Sequence, residues 1–187
     1  MLMRCFIAVD LDPSLTQKII TLQSLIKNLD VKLVEPHNLH FTLKFLGDIP
    51  DETIDKVKDK LSELAALASA FSTTLKGVGV FPSENYIRVI WVGAASEEFT
   101  RLHDAVNDAL AKLFKKEKAS PHLTIARVRS GKDNAGIMDF VKRHKNAEIG
   151  QMIVNKIRLK KSTLTPHGPV YDDLAIFELS LSDASPP

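Results

Sequence analysis

The sequence is poor in the residues that build covalent or metal frameworks. Its 187 residues include one cysteine, Cys5, which excludes an internal disulfide and a zinc site of several cysteines. Cys5 lies in an apolar run, so we expect a buried, unreactive thiol. No stretch approaches the roughly 20 apolar residues of a membrane helix. Asp10 and Asp12 end the apolar start without a cleavage site, so we interpret it as a strand and expect a cytoplasmic protein.

The sequence also lacks a strong excess of charge. A net charge of +2 and 44% apolar residues are typical of a globular protein. We expect one two-lobed domain over residues 1–187, with a loose tail at 183–187. Two basic clusters are present, Lys115, Lys116 and Lys118 in one and Arg158, Lys160 and Lys161 in the other. Because so mild a charge does not indicate nucleic-acid binding, we interpret both clusters as solvated surface.

Hydrophobic periodicity predicts four amphipathic helices between β-rich runs. The helices begin at Pro13, after Pro50, after Ser96 and near Asp133. The β-rich runs are 4–11, 39–46, 72–80, 86–93, 122–128, 149–164 (split by a turn) and 173–181. This interleaving predicts an α/β or α+β layered domain. A strand carrying His-x-Thr-x recurs between helices in each half, which favours two lobes with a cleft between them.

Two tetrapeptides of one form carry the chemistry, His40-Phe41-Thr42-Leu43 and His122-Leu123-Thr124-Ile125. Side chains alternate between the two faces of a strand, so the histidine and threonine of each motif share one face. In the first motif the same alternation places Lys44 beside them and gives the opposite face to Leu39, Phe41, Leu43 and Phe45. Each motif therefore presents an imidazole and a hydroxyl above a face that packs in the core.

Two such pairs suit phosphoryl transfer. One neutral imidazole can take a proton from the attacking water or hydroxyl, and the other, as imidazolium, can protonate the departing oxygen. The threonine hydroxyls can donate to the non-bridging phosphoryl oxygens. A cyclic ribose phosphate is strained and carries its own leaving group, so this reaction needs no metal and no cofactor.

Two other interpretations compete with catalysis. A single His-x-Thr-x motif is most often a half-buried structural pair, but two copies in corresponding places are less easily explained by accident. Zinc requires three or four ligands. His37 and His40 lie close in sequence, but the strand begins between them, and no acidic residue shares the His40 face. We therefore expect no metal site.

At these residues the sequence resembles the two-histidine phosphoesterase superfamily, specifically the RNA 2',3'-cyclic phosphodiesterase family, also called 2'-5' RNA ligase. The resemblance covers nearly the whole chain. Its blocks are residues 4–11, 38–47, 121–127 and 162–166 leading to Tyr171. The two histidine blocks, with their flanks and order, are the specific ones.

The resemblance implies an α+β, bilobal fold in which two antiparallel sheets face each other across a cleft, with helices on the outer sides. It implies hydrolysis of RNA or nucleoside 2',3'-cyclic phosphate ends to 2'-phosphates, and in reverse an ATP-independent 2'-5' joining of RNA. The expected partner is RNA with such an end, tRNA fragments included. We expect a monomer, and no association with a membrane. A small nucleotide-derived substrate and a non-catalytic RNA-binding module stay open as alternatives.

The resemblance also implies roles for individual residues. His122 is expected to activate water and His40 to protonate the leaving 3'-oxygen, although the sequence does not choose between them. Thr42, Thr124 and Arg127 are expected to bind the phosphate. Strict alternation places Arg127 opposite His122, so its role at the phosphate requires a β-bulge or a strand end between them. An edge-exposed or salt-bridged arginine is the alternative.

Several further residues have weaker assignments. Lys44 is a candidate phosphate contact or a solvent-reaching lysine. Phe6 and Phe41 can stack on a base, with core packing favoured. The remaining histidines divide into His103 and His144, expected at the surface, and His37 and His167, candidate substrate contacts that flank strands.

Overall fold

The computed structural model describes residues 1–94, 96–166 and 168–180, which form nine strands and four α-helices. The strands are β1 (Leu2–Asp10), β2 (Val31–Leu33), β3 (His40–Pro50), β4 (Phe71–Ser83), β5 (Tyr86–Ala94), β6 (His122–Val128), β7 (Glu148–Val154), β8 (Lys156–Thr165) and β9 (Gly168–Glu178). The helices are α1 (Pro13–Ser24), α2 (Asp51–Leu67), α3 (Glu97–Ala109) and α4 (Asn134–His144). His167 and the expected loose tail lie outside the described residues.

The four helices begin where the sequence predicts. The Asp12 side chain accepts a hydrogen bond from the Ser14 N–H, and the Ser96 hydroxyl accepts one from the Phe99 N–H, so both caps satisfy an otherwise unpaired helix donor. The predicted split of the 149–164 run falls at Asn155. The short strand β2 and a 3₁₀ turn at Pro36–Asn38 were not predicted, because three residues are too few to establish a period.

The strands form one curled antiparallel sheet in the order β7-β4-β5-β6-β3-β1-β8-β9, with β2 paired to β6. The sheet has two halves, each built around one histidine strand. The two halves meet between β3 and β6 at one antiparallel pair, Phe41 opposite Leu123. The α+β fold with two groups of antiparallel strands is confirmed, and the structure adds that the groups are continuous at this point.

The Phe41–Leu123 pair determines which side chains face the cleft. Both side chains are 0% exposed and pack in the core. The residues on either side of them therefore point to the opposite face of the sheet. Because the strands are antiparallel, this register sets His40 towards Thr124 and Thr42 towards His122.

The helices cover the core face of the sheet. Helix α1 packs against β6 and β7, and α4 packs against β4. Helix α2 packs against β3 and β9, and α3 against β3 and β4. In the described part of the chain, no helix is long and apolar enough to cross a membrane.

Candidate active site

The concave face of the sheet holds a cleft of about 920 Å³. All five residues predicted to act on the phosphate line it, namely His40, Thr42, His122, Thr124 and Arg127. The wall also includes Phe6, Phe45 and Tyr171, as well as the basic side chains of Arg4 and Lys32. The cleft therefore combines two imidazoles, two hydroxyls, cations and apolar rings.

His40 is held by hydrogen bonds at both ring nitrogens. Its Nδ1 lies 2.7 Å from the backbone oxygen of Asn38, and its Nε2 lies 3.1 Å from the Thr42 hydroxyl. The ring also packs against Phe6, at 5.0 Å between centroids, and meets Tyr171 edge-on at 5.3 Å. These contacts fix the imidazole plane above the cleft.

His122 repeats this arrangement in the other half. Its Nδ1 lies 2.6 Å from the backbone oxygen of Ser120, the residue two positions before it. Phe81 meets the ring edge-on at 4.9 Å, and Trp91 lies 6.4 Å away. The two histidines thus share one mode of support, a carbonyl at Nδ1 and an aromatic ring at the side.

The carbonyl contacts determine which nitrogen can react. A carbonyl oxygen only accepts, so Nδ1 carries the proton in both neutral rings. Each Nε2 therefore carries the lone pair when the ring is neutral and a second proton when it is charged. For these two histidines, proton transfer in the cleft is consequently confined to Nε2.

Burial lowers the pKa of both histidines. Burial brings the pKa of His40 down to about 4, assisted by the positive charges of Lys160 and Arg127, while the Asn38 carbonyl and the Asp10 carboxylate act to raise it. Burial also lowers the pKa of His122, again with Arg127 contributing, and the Ser120 carbonyl opposes the shift. Without an anion in the cleft, the neutral form of each ring is favoured.

A β-bulge in β6 brings Arg127 to the cleft. Trp91 of β5 pairs with Thr124 but the preceding residue, Ile90, pairs with Ala126, so Ile125 is an extra residue in β6. Ile125 and Ala126 are both fully buried, after which the alternation resumes one residue out of phase. Arg127 then faces the same side as His122. Of the two irregularities expected between His122 and Arg127, a bulge or a strand end, the structure has the bulge.

The same irregularity occurs in β3 and overturns two expectations. Ala8 of β1 pairs with Thr42 whereas Ile7 pairs with Lys44, so Leu43 is the extra residue. Lys44 is consequently turned into the core, where it is 1% exposed, and it does not line the cleft. Phe45 is turned the other way, lines the cleft and is 65% exposed. The predicted placements of Lys44 and Phe45 were wrong for this one reason.

Comparison with known proteins gives matches over almost the whole chain. The family model described as LigT-like phosphoesterase matches residues 9–91 and again 92–171. A relative from Archaeoglobus fulgidus, named RNA 2',3'-cyclic phosphodiesterase, is 40% identical over 94% of this chain and 100% of its own length. A relative from Methanothermobacter thermautotrophicus, with the same name, is 37% identical over 96% of this chain and 100% of its own length. A crystal structure from Thermus thermophilus has a TM-score of 0.84 and 30% identity, covering 96% of this chain and 100% of that one.

The chain belongs to the LigT-like phosphoesterase family. The resemblance stated from the sequence is therefore confirmed. The family model matches each half separately, and each match contains one His-x-Thr-x strand. This agrees with the internal repetition in the sequence and with the paired bulges in β3 and β6.

In this LigT-like phosphoesterase an ion-pair network lies behind His40. The Lys160 ammonium is 3.1 Å from the Asp10 carboxylate and 2.8 Å from that of Asp173. Arg158 pairs with the same two carboxylates. Lys160 is only 7% exposed, so its assignment as solvated surface was wrong. Each of the strands β1, β8 and β9 contributes a charged side chain, so the network holds these three strands together. Asp10, on β1, pairs with His40 in the sheet.

Other assignments have mixed outcomes. Phe41 is in the core as favoured, and Phe6 is almost as buried but also touches the His40 ring. Cys5 is buried, and burial raises the pKa of its thiol, in agreement with an unreactive role. His103 was expected at the surface but is 5% exposed, because it lies on the buried face of α3, where the Asn107 side chain hydrogen-bonds to its ring. His144 is half-buried against Phe140, and His37 lines the cleft.

The described residues offer no metal cluster, since no group of three or more histidine, cysteine or acidic side chains is close enough to hold an ion. Sequence reasoning did not predict the contacts that Tyr171 and Asn38 make in the cleft. The Tyr171 ring contacts the His40 ring, although the sequence analysis named Tyr171 only as the residue to which the last block of the resemblance leads. The Asn38 side chain donates to the Pro169 oxygen at 3.0 Å and holds the β8–β9 hairpin to the His40 strand.

The buried Lys44 connects the two histidine motifs. Its ammonium donates to the Asn107 side-chain oxygen and to the Lys115 backbone oxygen, both at 2.7 Å. Asn107 also accepts from the Glu117 N–H at 3.0 Å. The segment that leads into His122 is therefore fastened to the back of β3.

Replacing Lys44 with methionine is expected to destabilise the fold. The substitution removes two hydrogen bonds that a charged ammonium donates, one of them buried, and a hydrogen bond from a charged group contributes about 1.5–3 kcal/mol. Urea unfolding measures the change. Lys60→Met is the matched control, because Lys60 makes only an exposed pair with Glu63 and should change stability by less than about 0.5 kcal/mol. Equal effects of the two variants would contradict the positioning of Lys44.

Proposed function

We propose that this chain hydrolyses 2',3'-cyclic phosphate ends of RNA, or of a nucleoside, to 2'-phosphates, with His40 and His122 as the acid–base pair and no metal ion. The observation that carries the proposal is the pairing in one cleft of two imidazoles whose Nδ1 atoms are engaged by carbonyls, each beside a threonine of its motif. The two archaeal relatives named RNA 2',3'-cyclic phosphodiesterase, matched over almost the whole chain, support the same reaction.

In the proposed reaction, the neutral His122 takes a proton on Nε2 from a water molecule as that water attacks phosphorus. The bond between phosphorus and the 3'-oxygen breaks, and His40 donates its Nε2 proton to that oxygen. The products are a 2'-phosphate and a free 3'-hydroxyl. Proton exchange with solvent then returns both rings to their starting states.

The low pKa of His40 places a condition on this ordering. With a pKa of about 4, the free ring is neutral near pH 7 and cannot act as an acid. A bound phosphodiester brings a negative charge to Nε2, and a nearby opposite charge favours the imidazolium form. His40 therefore gains its proton when the substrate binds.

The remaining residues of the site hold charge. The Thr42 and Thr124 hydroxyls donate to the non-bridging oxygens, where charge accumulates in the transition state. The Arg127 guanidinium lies close enough to affect the pKa of both histidines and of Tyr171, so it is placed to neutralise a phosphate between them. If a 5'-hydroxyl of a second RNA attacked phosphorus in place of water, the same residues would form a 2'-5' linkage without ATP, with the 3'-oxygen again leaving as the hydroxyl.

A substrate with sulfur in place of the 3'-oxygen tests the assignment of acid and base. A thiolate leaves without protonation, so His40→Ala should turn this substrate over within about tenfold of wild type, while His122→Ala stays slow. If the sulfur substrate instead restored turnover in His122→Ala, then His122 would be the acid and His40 the base. If sulfur rescued neither variant, the general-acid step would be contradicted.

A further inference from the structure

Tyr171 of β9 is held in a fixed position beside His40. Its ring lies edge-on to the His40 ring, at 5.3 Å between centroids, and edge-on to the Phe6 ring, at 4.9 Å. Phe6 also contacts His40, so the three rings contact one another. The backbone two residues before Tyr171 is fixed as well, because the Asn38 side chain donates to the Pro169 oxygen. These contacts involve only the ring and the backbone, and they leave the tyrosine hydroxyl to be explained.

The Tyr171 hydroxyl makes no hydrogen bond within residues 1–94, 96–166 and 168–180. The residue is half-buried, and a tyrosine hydroxyl in such a place usually has a partner. Unlike the side-chain oxygen of Asn38, which also lacks a partner, the Tyr171 oxygen is not enclosed by the protein. Since Tyr171 lines the cleft, a molecule bound in the cleft can reach this oxygen.

Arg127 relates the Tyr171 hydroxyl to the position of the phosphate. The positive charge of Arg127 acts on the ionisation of three groups, namely the imidazoles of His40 and His122 and the hydroxyl of Tyr171. Arg127 extends from β6 and Tyr171 from β9, so they belong to different halves of the sheet. A phosphate bound between Arg127 and the two imidazoles therefore lies beside the Tyr171 hydroxyl as well.

We propose that the Tyr171 hydroxyl donates a hydrogen bond to a non-bridging oxygen of the cyclic phosphate, as a third donor besides Thr42 and Thr124. The inference rests on the proposed function and adds a phosphate-binding residue from outside the two histidine strands. Burial raises the pKa of Tyr171, so the hydroxyl keeps its proton near neutral pH and acts as a donor. A bond to a charged phosphoryl oxygen is stronger than one between neutral groups.

Tyr171→Phe tests the hydroxyl alone, because phenylalanine keeps the ring that contacts His40 and Phe6. Equilibrium binding is measured for adenosine 2'-phosphate and for adenosine, which has no phosphate. A hydrogen bond to a charged group corresponds to roughly ten- to hundredfold in affinity. Tyr171→Phe should weaken binding of the 2'-phosphate by such a factor and leave the affinity for adenosine unchanged. The kcat/KM for a 2',3'-cyclic phosphate should fall by a similar factor, with an unmoved pH profile, since the hydroxyl carries no charge.

Tyr86→Phe is the matched control. It removes the hydroxyl of the other tyrosine in the sequence, which lies outside the cleft and accepts a hydrogen bond from Arg88 at 3.3 Å. Both affinities and kcat/KM should stay within about twofold of wild type.

The outcomes separate this inference from the proposed function. Unchanged binding of the 2'-phosphate by Tyr171→Phe would overturn the inference, and a slow Tyr171→Leu variant would then assign Tyr171 to the packing of His40. Equal weakening of both ligands would also overturn it, because the hydroxyl would then contact the nucleoside. So would a shifted pH profile, which would mean that the hydroxyl acts on the ionisation of His40. A protein that binds the 2'-phosphate through Tyr171 but hydrolyses no cyclic phosphate would contradict only the proposed reaction.

Discussion

His40→Ala and His122→Ala variants are each expected to hydrolyse a 2',3'-cyclic phosphate about 10²–10⁴ times more slowly than wild type, measured as kcat. Each removes an Nε2 atom that transfers a proton, and no other group in the described cleft shares the arrangement of a carbonyl at Nδ1 and a motif threonine two residues later. Glutamine at either position retains a polar side chain of similar length but cannot titrate, so it should be as slow as alanine.

His144→Ala is the matched control for these variants. The Nδ1 atom of His144 also lies 2.8 Å from a backbone carbonyl oxygen, that of Phe140, but His144 is on α4 and outside the cleft. Its kcat should stay within about twofold of wild type. If the His40 or His122 variants were folded and as active as this control, the two-histidine mechanism would be wrong.

Arg127→Met is expected to have the second largest effect, a loss of about 10²–10³ in kcat/KM. The positive charge of Arg127 lowers the pKa of His40 and of His122, so its removal raises both. The pH profile of kcat/KM reports the ionisation of the free enzyme. For wild type, the maximum should lie below pH 6.5, because burial favours the neutral rings. For Arg127→Met, the bell-shaped pH dependence of kcat/KM should move as a whole to higher pH.

The pH shift distinguishes a charge in the site from a merely structural arginine. Arg88→Met removes a comparable guanidinium that lies over Tyr86, outside the cleft, and should change neither the rate nor the profile. A slower Arg127→Met with an unmoved profile would assign Arg127 to the stability of β6 rather than to the phosphate.

Much of the site could be predicted because it depends on local periodicity. The alternation around His40 and His122 placed both motifs on strands, and their apolar neighbours, Phe41 and Leu123, form the contact that joins the two halves. For Arg127, the offset from His122 was already inconsistent with strict alternation, and the required bulge is present. The placement of the two motifs needed only the sequence and the period of a strand, whereas the expectation for Arg127 came from the family resemblance.

Phe45 was misplaced although the sequence contained the signal. It has the same offset from His40 that Arg127 has from His122, so one bulge in each half would have placed both residues correctly. Lys44 was misplaced with it. Its burial is possible only because the Asn107 side chain and the Lys115 carbonyl bind its ammonium, and no sequence pattern connects those residues.

The network behind His40 could not be predicted at all. Asp10 and Lys160 lie near opposite ends of the chain, and their contact depends on the pairing of β1 with β8. From sequence, Lys160 belonged to a basic cluster typical of exposed surface. The depression of the His40 pKa likewise depends on how deeply tertiary packing buries the ring.

The most direct test uses protein that has been freed of metal ions and is kept in excess chelator. The substrate is a short RNA that ends in a 2',3'-cyclic phosphate, and the position of the phosphate on the product is determined. We predict full turnover to a 2'-phosphate by wild type, unchanged by the chelator, with the loss of this product in the His40→Ala and His122→Ala proteins. A folded wild-type protein that produced no 2'-phosphate, or did so only when metal was restored, would contradict the account.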